Sequence, residues 1–484
     1  MNKPLRRVAI FCGLLVFSLL LRDNWIQFVR ADTLKNDPHN RRVQINEYAK
    51  PRGDIIVDGK AITGSTVTAG SDFKYKRTYT DGPMWAPVTG YASQSYGSTS
   101  LENLEDKVLT GDDDRLFFNR TVDMLTGRSK QGGDVVTTLN AKAQQAAFKG
   151  LGSRKGAVAA INPQTGAILA LASTPSYDPG SFGDFSKSSG ENWKKLNADP
   201  DQPTLDRALK ETYPPGSTFK VVTAAAALEN GLYGGIDEPT RSPLPYILPN
   251  TTTPLNNEGP LPCKNATLMV AMQVSCNTVF GKIGADLGKE KMLAQAKRFG
   301  FDQPVDTPVL AVPSVFPTRM DKPQTALSSI GQFDTAATPL QMAMVAAAVA
   351  NDGKLMQPYM VDQLRAPNLN VIDQTQPKEF SQAVSPQTAQ KLQQMMEAVV
   401  EKGTGTSAQI PGVTVGGKTG TAQHGLHNSA LPYAWFISYA RTGSGSPVAV
   451  AVVVEDGNAN RDDISGGGLA APIARDVMRA VLNK

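Results

Sequence analysis

Residues 8–21 (VAIFCGLLVFSLLL) form an unbroken apolar run, and Lys3, Arg6 and Arg7 precede it. That pairing constrains everything downstream, because a basic flank holds the N-terminus in the cytoplasm and sends the following chain outward. The run is shorter than the ~20 residues a spanning helix needs. Extending it to Val29 supplies the length and includes Arg22 and Asp23, whose polar ends can reach water at the outer interface. A cleavable signal peptide ending near Val29-Arg30-Ala31 is the alternative. Both readings put most of the chain outside the cytoplasm. There Cys263 and Cys276 meet an oxidising medium and are expected to pair, two small buried thiols being the alternative.

The exported part has the composition of folded domains. A chain of 484 residues with 40% hydrophobic and 19% charged side chains is not disordered and suggests two to three domains. A net charge of +5 is too slight for a nucleic-acid footprint. Three Cys and three His exclude Cys-rich zinc modules and leave His39, His424 and His427 as the only histidine bases. His424 and His427 are spaced H-x-x-H, but no H-E-x-x-H accompanies them, so they read as a solvent-facing loop.

Residues 31–132 are polar, turn-rich and weakly periodic, which predicts short strands and loops. A strand is expected over Asp134–Leu139, then a helix over Ala141–Lys149 capped by Asn140. Gly156–Ser173 reads as a hairpin, Pro175–Pro203 as a loop, and Val221–Glu229 as a helix. Helical patterns follow over Thr267–Leu287, Lys289–Phe299 and Pro339–Asn351, separated from the preceding helix by a Pro/Asn/Thr loop over Thr240–Pro262. Strands Ala434–Tyr439 and Val448–Glu455 and a helix Ala471–Leu482 close the chain, with Gly466-Gly467-Gly468 as a flexible turn.

Three short motifs carry chemistry. In Ser217-Thr218-Phe219-Lys220, at a helix start, residues three apart share a face, so the amine can lie beside the hydroxyl. A lysine kept neutral by burial or a neighbouring cation can take the proton of a serine. Ser71-Asp72-Phe73-Lys74 has the same spacing in the polar N-terminal part, which shows what chance supplies. Ser275-Cys276-Asn277 offers a second hydroxyl and an amide at a bend between helices; taken alone, it reads as a helix cap. Lys418-Thr419-Gly420-Thr421 follows a strand-like stretch and offers a positive charge for a carboxylate, with hydroxyl and backbone donors. Lys418 would also lower the pKa of a nearby Lys220.

Jointly, and in this order, the motifs resemble those of penicillin-binding proteins and β-lactamases. The chain is most similar to class B penicillin-binding proteins of the short actinobacterial kind linked to division and shape. Further residues carry the resemblance: Pro51-Arg52-Gly53-Asp54-Ile55, the hairpin 156–179, Tyr213-Pro214-Pro215-Gly216-Ser217, Ala337-Thr338-Pro339-Leu340-Gln341 and Gly417–Gln423. Two positions depart from the pattern: Cys276 stands where Asp is usual in the second motif, and Asp206-Arg207-Ala208 where Asn-Arg-Ala is expected.

The resemblance implies an α+β chain. A β-lactamase/transpeptidase-like domain over 133–484, with a mainly antiparallel sheet flanked by helices, would follow an elongated β-rich pedestal or dimerisation-type module over 30–132. A membrane anchor over 8–29 and a cytoplasmic tail over 1–7 would precede them, making a single-pass membrane protein with its catalytic part outside. The activity implied is a peptidoglycan D,D-transpeptidase. Ser217 would attack stem peptides ending in D-Ala-D-Ala, Lys220 would be the base, Ser275 the proton relay, and Asn277 would hold the acyl chain. Lys418, Thr419, Gly420 and Thr421 would form the carboxylate-binding strand, and the backbone N–H groups of Ser217 and Thr421 the oxyanion hole. Penicillins and other β-lactams would be trapped at Ser217. No cofactor, metal or nucleic acid is implied. Partners would be the membrane, a lipid-linked glycan polymerase, and division or elongation proteins. A D,D-carboxypeptidase uses the same residues, and a silent β-lactam-binding scaffold is a further alternative. A β-lactamase would need a deacylating Glu motif that is not evident, and a Ser-His-Asp esterase a G-x-S-x-G that does not occur.

Overall fold

The computed structural model describes residues 3–35, 37, 40–68, 72–116, 131–425, 428–455, 461 and 464–484. His39, Ser71 and His427 lie outside them. At the N-terminus the helix Lys3–Asn24 continues as a π-turn over Trp25–Val29. An 18-residue window of the combined stretch Lys3–Val29 reaches a mean hydropathy of 1.9 and none of that window is buried, so the helix is long and apolar enough to cross a membrane.

The centre of the molecule is a five-stranded antiparallel sheet. Its order is Thr414–Ala422, Tyr433–Thr442, Gly445–Glu455, Lys155–Ile161, Ile168–Thr174. Both faces are covered, so its strands read as continuous apolar runs instead of alternating ones. Successive side chains still part to opposite faces. Ala157, Ala159, Ile161, Trp435, Ile437 and Val453 pack with the nucleophile-side helices. Val158, Ala160, Phe436 and Val450 pack against Ala143, Ala147, Val477 and Met478 of the helices Ala141–Leu151 and Ala471–Leu482. Asn140 caps the first of these, accepting from Ala143 N at 2.9 Å, as its sequence position predicts. Helix Pro339–Ala350 is apolar nearly all round and is correspondingly buried on all sides.

A second sheet has the order Val371–Gln374, Val361–Arg365, Asp134–Thr137, Ile55–Val57, Lys60–Ala61. It joins residues from before 132 to strands from far beyond it. The first module is less purely β than expected, since helices Gly82–Thr89, Ser100–Leu104 and Asp106–Leu109 pack beside its strands.

Two local expectations are corrected. The stretch 175–203 is not all loop: Lys187–Ala198 is a helix. Its Ser, Gly and Asn residues have poor helix propensity, but Ser186 caps it and Trp193 stacks on Tyr96 at 4.3 Å and packs against Phe182 at 5.0 Å. Gly466-Gly467-Gly468 is not a flexible turn either. It opens a π-helical turn, Gly466–Ala470, capped by Ser465. A Cβ on Gly466 would stand 2.0 Å from the Trp435 carbonyl oxygen and 2.7 Å from that of Gly420, so the bare backbone is what lets this turn press against the strands.

Candidate active site

The chain Tyr213–Pro215 is fixed by reciprocal backbone bonds between Tyr213 and Ala337, at 3.0 and 2.8 Å. Gly216 then turns with φ +53°, a conformation that favours glycine, and its N–H donates to Gly331 O at 2.9 Å. A tight turn, Gly216–Phe219, runs straight into helix Lys220–Glu229. Phe219 locks the turn from below, stacked on Phe316 at 5.3 Å and edge-on to Phe301 at 5.4 Å. Ser217 is thereby presented at the helix start, where backbone N–H groups lack partners.

The second motif falls at a break between helices Leu268–Gln273 and Asn277–Leu287, as expected. Ser275 itself carries φ +65°, a strained conformation for a residue with a side chain. The reading of this tripeptide as a helix cap does not hold. Asn277 Oδ1 accepts from Lys220 Nζ at 2.6 Å, and the helix N-terminus is instead capped from outside, Thr278 N donating to Asn257 Oδ1 at 3.1 Å. Cys276 is bonded to Cys263, with the Cα atoms 5.6 Å apart and both residues fully buried. Closing a loop of this size stabilises by roughly 3 kcal/mol. Cys263→Ser is therefore expected to lower the melting temperature. Dithiothreitol should reproduce the shift in the wild type and add nothing in the variant.

The strand Thr414–Ala422 brings in the third motif, with Lys418 paired to Ile437 and Gly420 to Trp435. The three motifs meet at Ser275 Oγ, which lies 3.1 Å from Lys220 Nζ and 3.0 Å from Lys418 Nζ. Lys220 also donates to Ser275 O at 2.8 Å, and Lys418 to Thr419 O at 2.9 Å. Thr419 Oγ1 is 2.6 Å from Thr404 Oγ1. Both lysines are fully buried. Burial, and then the charge of Lys418, push Lys220 well below the ordinary lysine range; Glu258 opposes them. Burial lowers Lys418 to about 7, with Glu258 again opposing.

A neutral Lys220 amine has two N–H donors and one lone pair. Ser275 O and Asn277 Oδ1 can only accept, so they take the two donors and leave the lone pair for a hydroxyl. The pattern around Nζ thus suits a base. Among the described residues no hydrogen bond joins Lys220 Nζ to Ser217 Oγ; the amine is turned toward the second motif.

Ser217, Ser275, Thr419 and Thr421 line a cleft of about 430 Å³ together with Glu258 and Lys402. Clefts of about 480 and 440 Å³ elsewhere hold none of the motif residues. His424 is stacked on Tyr433 at 4.0 Å, with Nε2 2.6 Å from Leu431 O. Asp206, where Asn was expected, caps the short helix Arg207–Lys210 by accepting from Ala208 N. Sequence reasoning missed Asn257, Glu258 and Thr404. Their only signal is position in the loop that ends at Cys263 and in the turn opposite Thr419.

A hydroxyl at a helix start, a buried lysine and a second hydroxyl shared by two lysines suit the cleft to serine acyl transfer. Comparison with known proteins agrees. The model of the penicillin binding protein transpeptidase domain matches residues 156–479, and that of the penicillin binding protein A dimerisation domain matches 52–135. The chain is 43% identical to the peptidoglycan D,D-transpeptidase PbpA of Mycolicibacterium smegmatis, covering all of both chains. It is 42% identical to that of Mycobacterium tuberculosis, over 100% of this chain and 99% of the relative. The structure of M. tuberculosis penicillin-binding protein A as a ceftriaxone acyl-enzyme superposes with a TM-score of 0.85 at 40% identity, covering 90% of this chain and all of that one. The penicillin G acyl-enzyme gives 0.83 at 41% identity, with the same coverage. The chain belongs to the penicillin-binding protein transpeptidases.

Proposed function

We propose that this protein is a peptidoglycan D,D-transpeptidase that works through an ester on Ser217. The observation that carries the reading is the meeting of Lys220 and Lys418 on Ser275 Oγ, in the cleft that Ser217 lines. Lys418, Thr419 and Thr421 receive the terminal carboxylate of a D-Ala-D-Ala stem. Gly420 leaves room for its backbone. Lys220 takes the Ser217 proton as Oγ attacks the penultimate carbonyl carbon, and the N–H groups of Ser217 and Thr421 hold the developing oxyanion. Ser275 passes a proton to the departing D-Ala amine as the C–N bond breaks. Asn277 holds the acyl chain and orients Lys220. A neighbouring stem amine then attacks the ester, and Ser217 regains its proton. β-Lactams enter the same attack and stay bound.

The layout of the chain serves this reaction, with a cytoplasmic tail over 1–7, a membrane anchor over 8–29, a non-catalytic module over 30–132, and the transpeptidase domain over 133–484. The catalytic part lies outside the cell membrane. The first module offers surfaces to a lipid-linked glycan polymerase and to division or elongation proteins.

Incubation with benzylpenicillin should give a persistent adduct of one penicillin, mapped to the peptide that carries Ser217. An adduct lost within seconds would make the protein a β-lactamase. Folded protein with no adduct would make it a scaffold.

A further inference from the structure

The loop before the second motif is tied to that motif at both ends. On one side Asn277 Nδ2 donates to Asn256 O at 3.1 Å, and Asn257 bonds both the backbone N–H and the hydroxyl of Thr278. On the other side Cys263 is bonded to Cys276. Between the ties stands Glu258, exposed and lining the same cleft as Ser217, Ser275, Thr419 and Thr421. Among the described residues that line this cleft Glu258 is the one carboxylate, and Lys402 stands among them too. Its charge reaches both Lys220 and Lys418.

That carboxylate is out of place for the first half of the reaction. The donor stem brings a carboxylate of its own, which Lys418 attracts and Glu258 repels. The second half has the opposite need. The acceptor is a primary amine, and it arrives in water as an ammonium ion. Lys402 at the cleft and Lys418 at its floor repel it. Glu258 is the group of opposite sign that meets it.

From this we propose that Glu258 is the acceptor subsite: it binds the ammonium group of the incoming stem peptide at the mouth of the cleft. The inference rests on the transpeptidase reading. The ammonium pairs with Glu258 first and sheds one proton to solvent water as it moves inward, where the charge of Lys418 favours the neutral amine. Its nitrogen then attacks the Ser217 ester carbon. The C–N bond forms, the C–Oγ bond breaks, and the second amine proton returns through Ser275 and Lys220 to Ser217 Oγ. The ties to Asn277, Thr278 and Cys276 fix the height of Glu258 above Ser275, so the amine enters along the path by which D-Ala left.

The test separates the two halves on the full chain in detergent. A thioester donor stem loads Ser217, and D-alaninamide competes with water for the ester. In Glu258→Gln the ratio of amide product to hydrolysis product is expected to fall about fivefold, the size of one partly screened charge pair. Acylation by benzylpenicillin should not fall, because in the donor half Glu258 only opposes the incoming carboxylate. Glu258→Asp should recover part of the ratio, and added salt should lower the wild-type ratio toward that of the variant. An unchanged ratio in Glu258→Gln overturns the proposal. So does an equal fall in acylation and aminolysis, which would make Glu258 a group that acts through the lysines. Failure of wild type to form any penicillin adduct would instead remove the transpeptidase reading on which the proposal stands.

Discussion

Lys220→Met is expected to slow acylation by benzylpenicillin about 10³-fold, the usual loss when a positioned general base is removed. The argument starts from burial. Lys220 is fully enclosed, and an ammonium ion there has lost its water and faces the second lysine. The neutral amine is therefore the favoured form, and its two acceptor-only neighbours, Ser275 O and Asn277 Oδ1, leave the lone pair for a hydroxyl. Lys220→Arg should fail as badly, since a guanidinium does not give up its proton and cannot serve as a base. The same geometry sets the pH dependence. The rate should rise with pH while Lys220 loses its proton, at a pH well below the ordinary lysine range. It should level and then fall as Lys418, which has to stay charged to hold a carboxylate, loses its own proton at about 7. A bound carboxylate holds that charge, so the fall comes later at saturating substrate. Stopped-flow acylation between pH 5 and 9, a range of roughly two units either side of that value, measures both limbs. A Lys220→Met variant that retains a tenth of the wild-type rate would mean that another group takes the Ser217 proton.

What the sequence shows of this site, and what it hides, divides by distance along the chain. Ser217 and Lys220 are three apart on one turn, and local geometry makes their partnership readable. The cap Asn140 and the hairpin after Gly156 are readable for the same reason. The actual bonds of Lys220 go to Ser275 and Asn277, and no spacing rule predicts contacts across that separation; the family resemblance supplied only membership of one site. Strands Val361–Arg365 and Val371–Gln374 complete a sheet begun at Ile55, a pairing that only the folded chain reveals. Helix Lys187–Ala198 was hidden because its own composition argues against it and the aromatic cluster under Trp193 decides it. Glu258 was hidden among Asn, Gly and Pro, in a stretch whose order comes from ties to another element.

Glu102→Gln is expected to cost about 3–5 kcal/mol, the range for breaking a buried ion pair from one side. Glu102 is fully buried between two arginines that are nearly so. Its Oε1 is 2.6 Å from Arg77 Nε and its Oε2 3.2 Å from Arg52 Nε, while its backbone oxygen accepts from Arg52 Nη2 at 2.9 Å. Arg52 belongs to the stretch Pro51–Ile55 that helps carry the family resemblance. Its remaining partner charges, Asp106 at 2.8 Å and Glu47 at 3.6 Å, are partly exposed, and Arg77 reaches Asp54 only at 3.7 Å. A glutamine keeps the shape and removes the charge, which leaves two desolvated guanidinium groups facing each other across a neutral amide. The contrast is the exposed pair Lys187–Glu191, 3.9 Å apart at the surface, where Glu191→Gln should leave the unfolding transition where it was. Denaturant unfolding followed at Trp85, in the helix of the same module, reads both exchanges. Penicillin acylation of the Glu102→Gln variant under native conditions should stay close to wild type, because neither arginine nor the glutamate lines the cleft. A cost below about 1 kcal/mol, the range of surface pairs, would show that Asp54, Asp106 and Glu47 neutralise the two arginines by themselves, and that Glu102 is a packing residue that happens to be charged.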